Sequence, residues 1–179
     1  MSKVFRNIVV LAFILVSALS AVAAEFPPVG KPAPDFWLHN EQGNGMTLKD
    51  FSGKWVVLYF YPRDFTKGCS IEAQKFAADW PKYQAANATI VGISVDGPDS
   101  HKTFCEMNKL PFHLLSDSNG AVSTSYNSFT QLAAAKISER NTFLIDPKGN
   151  LVKIFTKVNP VNHSAQVLKA LAELQAAKK

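Results

Sequence analysis

The sequence predicts an α/β domain whose mixed central sheet is flanked by helices on both faces. Two apolar runs rich in β-branched and aromatic residues, 55–61 and 88–95, are typical of strands buried on both faces. A segment with helical character follows each run, and a hairpin and a last helix complete the chain. This order favours parallel strands with helical crossovers beside an antiparallel pair.

The first two strands each lead into a helix. "WVVLYFY" covers 55–61, and the helix predicted over 69–86 has its apolar or small residues close to helical spacing. "ATIVGISV" covers 88–95, and a second helix begins near Pro98 or Ser100. Strand followed by helix is the first half of a crossover connection.

The remainder of the chain adds a short strand, a hairpin and a helix. "FHLLSD" is the short third strand. In "NTFLIDPKGNLVKIFT", the turn signal "DPKGN" joins two strands into a hairpin. "HSAQVLKALAELQAA" closes the chain as a helix, with leucines at 168, 171 and 174.

Residues 1–24 have the pattern of a secretory signal peptide. Lys3 and Arg6 precede an apolar stretch of about fifteen residues, shorter than the roughly 20 that span a bilayer, and "AVAA" stands before Glu25. We expect residues 1–24 to be removed and 25–179 to form one domain in the bacterial periplasm, without stable membrane association. An uncleaved N-terminal anchor is the alternative.

Charge and the spacing of cysteine and histidine exclude some classes of partner. Without Lys3 and Arg6 the formal charge falls from +5 to +3, and the other lysines are scattered, so a nucleic-acid partner is not expected. The four histidines are dispersed, and Cys69 and Cys105 lie 36 positions apart, which does not resemble a metal site. In an exported chain, two cysteines alone would favour a structural disulfide.

Cys69 occupies a position where chemistry is common in α/β proteins. It follows the first strand and opens the first helix, where unpaired N–H groups and the helix dipole favour thiolate over thiol. Thr66, three residues earlier, has the spacing of an N-cap whose hydroxyl meets the Cys69 N–H. Glu72, one turn further on, would disfavour the thiolate unless a cation pairs with it.

Pro62, Thr66 and Cys69 form the pattern P-x-x-x-T-x-x-C, which resembles the active-site motif of peroxiredoxins, thiol peroxidases with a thioredoxin-like fold. The similarity covers nearly all of the mature chain and is greatest to the Q-type subfamily, or bacterioferritin comigratory proteins. It is carried by "VGKPAPDF", "TLKDFSGKWVVLYFYPRDFTKGCSIEAQKF", "IVGISVDGPDSHKTF", "LPFHLLSD" and "RNTFLIDPKGNLVKIF".

The resemblance implies a role for each matching residue. Cys69 is the peroxidatic cysteine that attacks the peroxide, Thr66 hydrogen-bonds the peroxide and Pro62 shields the site from water. Arg140, which opens "RNTFLID", stabilises the thiolate and the charge that develops on oxygen. We expect Glu72 to pair with Arg140 and orient it. No metal, haem or flavin is expected.

The chain departs from the subfamily at the second, resolving cysteine. Many Q-type members carry it five residues after the first, where this chain has Gln74, but Cys105 matches another placement, in the following helix. An intramolecular disulfide between Cys69 and Cys105 is then implied, and it would require local unwinding if the resting fold holds the two apart. The alternatives are a one-cysteine enzyme with Cys105 as a spectator, and a non-catalytic thioredoxin-fold module with a structural disulfide.

The resemblance also implies the partners. The substrates are hydrogen peroxide and organic hydroperoxides, and a thioredoxin-like dithiol protein recycles the enzyme. Because export separates the protein from cytosolic thioredoxin, this reductant is expected to be exported too. Q-type relatives suggest a monomer or weak dimer. Residues 126–139 are shorter and less aromatic than usual, which affects contacts of the oxidised state.

Overall fold

The computed structural model describes residues 25–132 and 135–177. The predicted signal peptide lies outside these residues. Within them, no helix combines the length and the apolar character needed to cross a membrane.

The fold alternates strands and helices as the sequence predicts. The strands are β1 (Trp37–Asn40), β2 (Gly45–Thr47), β3 (Trp55–Phe60), β4 (Ala88–Ser94), β5 (His113–Ser116), β6 (Phe129–Leu132), β7 (Ala135–Ser138), β8 (Thr142–Ile145) and β9 (Leu151–Phe155). The helices are α1 (Lys67–Ala85), α2 (Pro98–Asn108), α3 (Ala121–Ser125) and α4 (His163–Ala176), and a 3-10 helix covers Leu48–Phe51.

A mixed sheet with the order β2-β1-β5-β4-β3-β8-β9 forms the centre of the molecule. Strands β3, β4 and β5 are parallel, and α1 and α2 are their crossovers. In the predicted hairpin, β8 pairs antiparallel with β3 and β9 pairs antiparallel with β8. At the other side, β1 pairs antiparallel with β5. Strands β6 and β7 form a separate hairpin. The loops after β3 and β4 therefore meet at one edge of the sheet.

Side chains of β3 alternate between two hydrophobic clusters, one on each face of the sheet. Trp55, Val57 and Tyr59 pack on one face with α1, α2 and α4. Val56 and Phe60 pack on the other face with the N-terminal segment, the 3-10 helix and Val122 of α3. Helices thus cover both faces, as predicted, but the three long helices share one face. For α1 and α2 this follows because both crossovers have the same hand.

The main differences from the predicted elements are at boundaries and in short strands. Helix α1 begins at Lys67, two positions before the predicted start, so Cys69 lies inside the first turn. Strands β1, β2, β6 and β7 and the short helix α3 were not predicted. They contain three to five residues each, too few for a period to be recognised in the sequence.

Candidate active site

Cys69 is the third residue of α1 and is buried, with 1% of its surface exposed. It lies in a turn whose backbone N–H groups have no acceptor within the helix. Nη2 of Arg140 donates a hydrogen bond to its Sγ at 3.3 Å. Helix N-terminus and guanidinium therefore present positive charge to the same sulfur.

The predicted partnership between Glu72 and Arg140 is present. Nη1 of Arg140 donates to Oε2 of Glu72 while Nη2 of the same group contacts Cys69. Burial would lower the pKa of Arg140, but the negative charges of Glu72 and Cys69 outweigh it and raise that pKa. The guanidinium stays charged, and its two terminal nitrogens are held by Glu72 and Cys69.

The charge on Glu72 is only partly compensated. The side chain is 1% exposed, and its second oxygen, Oε1, has no hydrogen-bond partner among the described residues. Burial raises the pKa of Glu72 to about 7, although its contact with Arg140 acts in the opposite direction. The ion pair is consequently sensitive to pH near neutrality.

Thr66 is the N-cap residue of α1, but its side chain does not cap the helix as predicted. Its Oγ1 donates instead to the backbone carbonyl of Arg63 at 3.2 Å. Thr66 is exposed and Pro62, at the start of the same loop, is half-buried. The loop turns sharply at Phe65, whose φ is +59°, and this turn redirects the Thr66 hydroxyl towards the loop instead of the helix.

Gly68 makes room for Arg140, a role that the sequence analysis did not assign. A Cβ at this position would lie 3.2 Å from Nη2 of Arg140 and 3.7 Å from Cγ of Pro160. A glycine inside a helix is otherwise unfavourable, so its presence beside Cys69 was a usable signal of close approach.

Cys105 is partly buried on α2 and packs against the same hydrophobic cluster as Cys69. Both cysteines are free in this fold. Burial raises the pKa of Cys105 to about 12, and the carboxylates of Glu41, Asp64 and Glu106 act in the same direction.

Gln74, at the other position for a resolving cysteine, joins α1 to the Cys105 helix. Its Nε2 donates to Oδ1 of Asn108 at 2.9 Å. Among residues 25–132 and 135–177, no group of three His, Cys, Asp or Glu side chains is arranged to hold a metal.

A family model and the sequences of known proteins place this chain in the same protein family. Residues 29–154 match the model of the AhpC/TSA family. Peroxiredoxin Bcp of Bacillus subtilis is 35% identical over 150 residues, covering 82% of this chain and 96% of that protein.

Solved structures that superpose on this chain are also peroxiredoxins. Peroxiredoxin Q from Xylella fastidiosa superposes with a TM-score of 0.77 at 29% identity, over 88% of this chain and 100% of that one. The bacterioferritin comigratory protein of Xanthomonas campestris, whose structure was determined to explain its alkyl peroxide reduction, superposes with a TM-score of 0.73 at 33% identity, over 77% of this chain and 90% of that one. The chain therefore belongs to the AhpC/TSA family and is a thioredoxin-like peroxiredoxin, a thiol-dependent peroxidase.

Proposed function

We propose that this peroxiredoxin reduces hydrogen peroxide and organic hydroperoxides with Cys69 and resolves the product with Cys105. The observation that carries the first step is the guanidinium of Arg140, held between the Cys69 sulfur and the Glu72 carboxylate. A permanently charged planar fork suits a reaction in which negative charge moves from sulfur to oxygen.

The first step transfers one oxygen to sulfur. The Cys69 thiolate attacks the nearer peroxide oxygen, an S–O bond forms as the O–O bond breaks, and the leaving oxygen takes a proton to become water or an alcohol. Cys69 becomes a sulfenic acid. Arg140 stabilises the moving charge, the exposed Thr66 hydroxyl orients the peroxide, and Pro62 limits access of water.

The second step forms a disulfide. The Cys105 thiolate attacks the Cys69 sulfenic acid, and water leaves. In the resting fold the raised pKa of Cys105 opposes this attack, because the thiol keeps its proton. Local unwinding that brings Cys105 into water would remove the burial that raises its pKa, so opening of the helix and activation of the nucleophile coincide.

We propose organic hydroperoxides as substrates because apolar side chains surround the site. Phe65 and Val161 are about half exposed, at 50% and 53%, and Pro160 lies beside Gly68. These side chains can contact the alkyl part of a substrate while its peroxide group reaches Cys69. The alkyl peroxide reduction named for the Xanthomonas campestris relative supports the same substrate class.

The disulfide is reduced by thiol exchange with a thioredoxin-like dithiol protein. Because residues 1–24 resemble a signal peptide, we place the mature protein in the periplasm as a monomer or weak dimer, and its reductant in the same compartment. Turnover by cytosolic thioredoxin with no turnover by exported dithiol proteins would contradict this location.

Intact mass measurement tests the two steps together. Reduced mature protein receives one equivalent of hydrogen peroxide and is then alkylated. We expect a loss of about 2 Da and no alkylation of either cysteine, because both thiols have been consumed by the disulfide. Cys105→Ser is the matched control, which should gain about 16 or 32 Da instead.

The one-cysteine alternative is favoured by the partly buried position and raised pKa of Cys105. It predicts that wild type also gains about 16 or 32 Da with Cys105 still free. No mass change in wild type would contradict the peroxidase proposal itself.

A further inference from the structure

A buried cluster of polar groups joins the loop between β3 and α1 to helix α2. Asp64, in the loop, is 7% exposed, and His101, on α2, is fully buried. Nδ1 of His101 lies 2.9 Å from Oδ2 of Asp64. The Tyr61 hydroxyl donates to Oδ1 at 2.8 Å and the Ser100 hydroxyl to Oδ2 at 2.6 Å. A single carboxylate thus holds groups from both segments.

Both ring nitrogens of His101 have a hydrogen-bond partner in this cluster. Nδ1 faces Asp64, and Nε2 lies 3.2 Å from the backbone carbonyl of Leu115. Burial would raise the pKa of Asp64, but the hydrogen bond and charge of His101 outweigh it and hold that pKa below its ordinary value. The two residues form a buried hydrogen-bonded pair.

This hydrogen-bonded pair links the loop before Cys69 to the helix that carries Cys105. Asp64 precedes Cys69 by five residues, in the loop that leads into α1. His101 precedes Cys105 by four residues, one turn earlier on the same side of α2. Any movement of the Cys105 turn away from the sheet therefore pulls on the loop before Cys69.

The loop makes further contacts with the same side of the molecule. The Phe65 ring meets the Phe104 ring edge-on, with centroids 5.4 Å apart. The backbone N–H of Asp64 donates to Asp96, in the connection before α2, at 2.8 Å. A positive φ at a residue such as Phe65 persists only where its surroundings enforce it. The loop that ends at Thr66 thus depends on α2 for its conformation.

We propose that Asp64 and His101 are positioning residues that latch the loop before Cys69 onto the helix of Cys105. With the latch closed, the loop is held for peroxide attack by Cys69. Cys105 reaches Cys69 only when the first turn of α1 and part of α2 separate, which opens the latch. The geometry for the first step and the movement for the second exclude each other. This proposal rests on the proposed function.

The test measures the two steps separately in wild type and in His101→Gln, which removes the imidazole that contacts Asp64 but keeps a hydrogen-bond donor. Reduced protein is mixed with hydrogen peroxide, and the reaction is quenched in acid after milliseconds to seconds. The intact mass of the protein is then measured by mass spectrometry. In the variant, sulfenic acid should form more slowly and convert to the disulfide faster, each by about tenfold, which is a typical coupling between two sites.

Two further variants keep the test decisive. Ser100→Ala keeps both Asp64 and His101 and removes one hydrogen bond to Asp64, so smaller changes in the same directions are expected. This variant decides the test if His101→Gln does not fold. Tyr83→Phe removes a buried hydrogen bond of 2.8 Å to the Ser164 carbonyl, between α1 and α4. It is the matched control and should leave both rates unchanged.

The outcomes separate the latch from the function on which it rests. Wild-type rates in the folded variants of His101 and Ser100, or equal changes in the Tyr83 variant, overturn the latch alone. Wild-type protein that forms sulfenic acid without a disulfide overturns the resolving role of Cys105 and the latch with it. Wild-type protein that does not react with peroxide overturns the proposed function.

Discussion

Arg140 donates a hydrogen bond to the sulfur of Cys69, although the two residues are far apart in the sequence. Cys69 lies in the first turn of α1, whereas Arg140 lies just before β8, and Nη2 and Sγ are 3.3 Å apart. The contact exists because β8 pairs with β3, the strand that leads to α1. A cation placed in advance by the sheet does not have to reorganise during the reaction.

Arg140→Lys is expected to slow the oxidation of Cys69 by about a hundredfold. Lysine keeps the positive charge, but a single ammonium group cannot contact the sulfur and the Glu72 carboxylate with the geometry of a planar fork. The second-order rate constant with hydrogen peroxide measures the effect, and thermal unfolding checks that the fold persists. An unchanged rate would show that the charge is stabilised by other groups.

Glu72→Gln should also slow this step, by about tenfold, because one charge-assisted hydrogen bond to Arg140 becomes a neutral one. The difference from wild type should be greatest above pH 7 and disappear at lower pH, since Glu72 itself takes up a proton near pH 7. Rate constants from pH 5.5 to 8.5 measure this. A deficit that is the same at every pH would show that the Glu72 charge is not what orients Arg140.

Gly68→Ala is expected to reduce the peroxide rate a few-fold without loss of stability. The added methyl group would lie 3.2 Å from Nη2 of Arg140 and displace it by a few tenths of an ångström. Alanine in a helix is favoured over glycine by about 0.5–1 kcal/mol, so stability should hold or rise. Gly97→Ala is the control, because a methyl group there meets nothing within 4 Å. Equal rates in both variants would contradict the close approach.

Much of this site could be predicted from the sequence, because its main features are local. The apolar run of β3 and the helix after it place Cys69 at the end of a parallel strand, whatever the details of packing. The motif of Pro62, Thr66 and Cys69 then identifies the chemistry and leads to Arg140. Charge indicated only that Glu72 beside a thiolate needs a cationic partner. The family resemblance then supplied Arg140 as that partner.

The rest depends on three-dimensional contacts that leave no local pattern. The Thr66 hydroxyl turns to the Arg63 carbonyl because Phe65 adopts a positive φ, and spacing alone gives no sign of that conformation. The hydrogen-bonded pair of Asp64 and His101 joins residues 37 positions apart, neither of which stands out in composition. Short strands such as β6 and β7 are defined by their mutual pairing, which tertiary contacts decide.

Glu72 should also give the fold a pH-dependent stability. Burial raises its pKa from 4.5 to about 7, so between these values the native protein keeps a proton that the unfolded chain loses. Its contribution is therefore complete below pH 4.5 and is lost as the pH rises through 7. Relative to Glu72→Gln, the unfolding free energy of wild type should fall by about 2 kcal/mol between pH 4.5 and 7. Urea unfolding at both pH values measures this, and a pH-independent difference would contradict it.

His163 should produce the opposite dependence. Its ring is fully buried against Phe76 and Phe155. Burial lowers the pKa of His163 to about 4, and the charge of Arg140 acts in the same direction. Between pH 4 and 6.5 the unfolded chain takes up a proton that the native protein refuses. The stability due to this group is present above pH 6.5 and is lost as the pH falls towards 4.

His163→Phe tests this, because phenylalanine fits among aromatic rings and cannot titrate. Relative to the variant, the unfolding free energy of wild type should rise by about 2 kcal/mol between pH 4.5 and 6.5. Over that range the contributions of His163 and Glu72 oppose each other in wild type, so each single variant should depend on pH more steeply than wild type, in opposite directions. Urea unfolding of the three proteins shows whether the contributions of His163 and Glu72 cancel in wild type. If the unfolding free energy of both variants depends on pH as it does in wild type, neither buried group controls the response to pH.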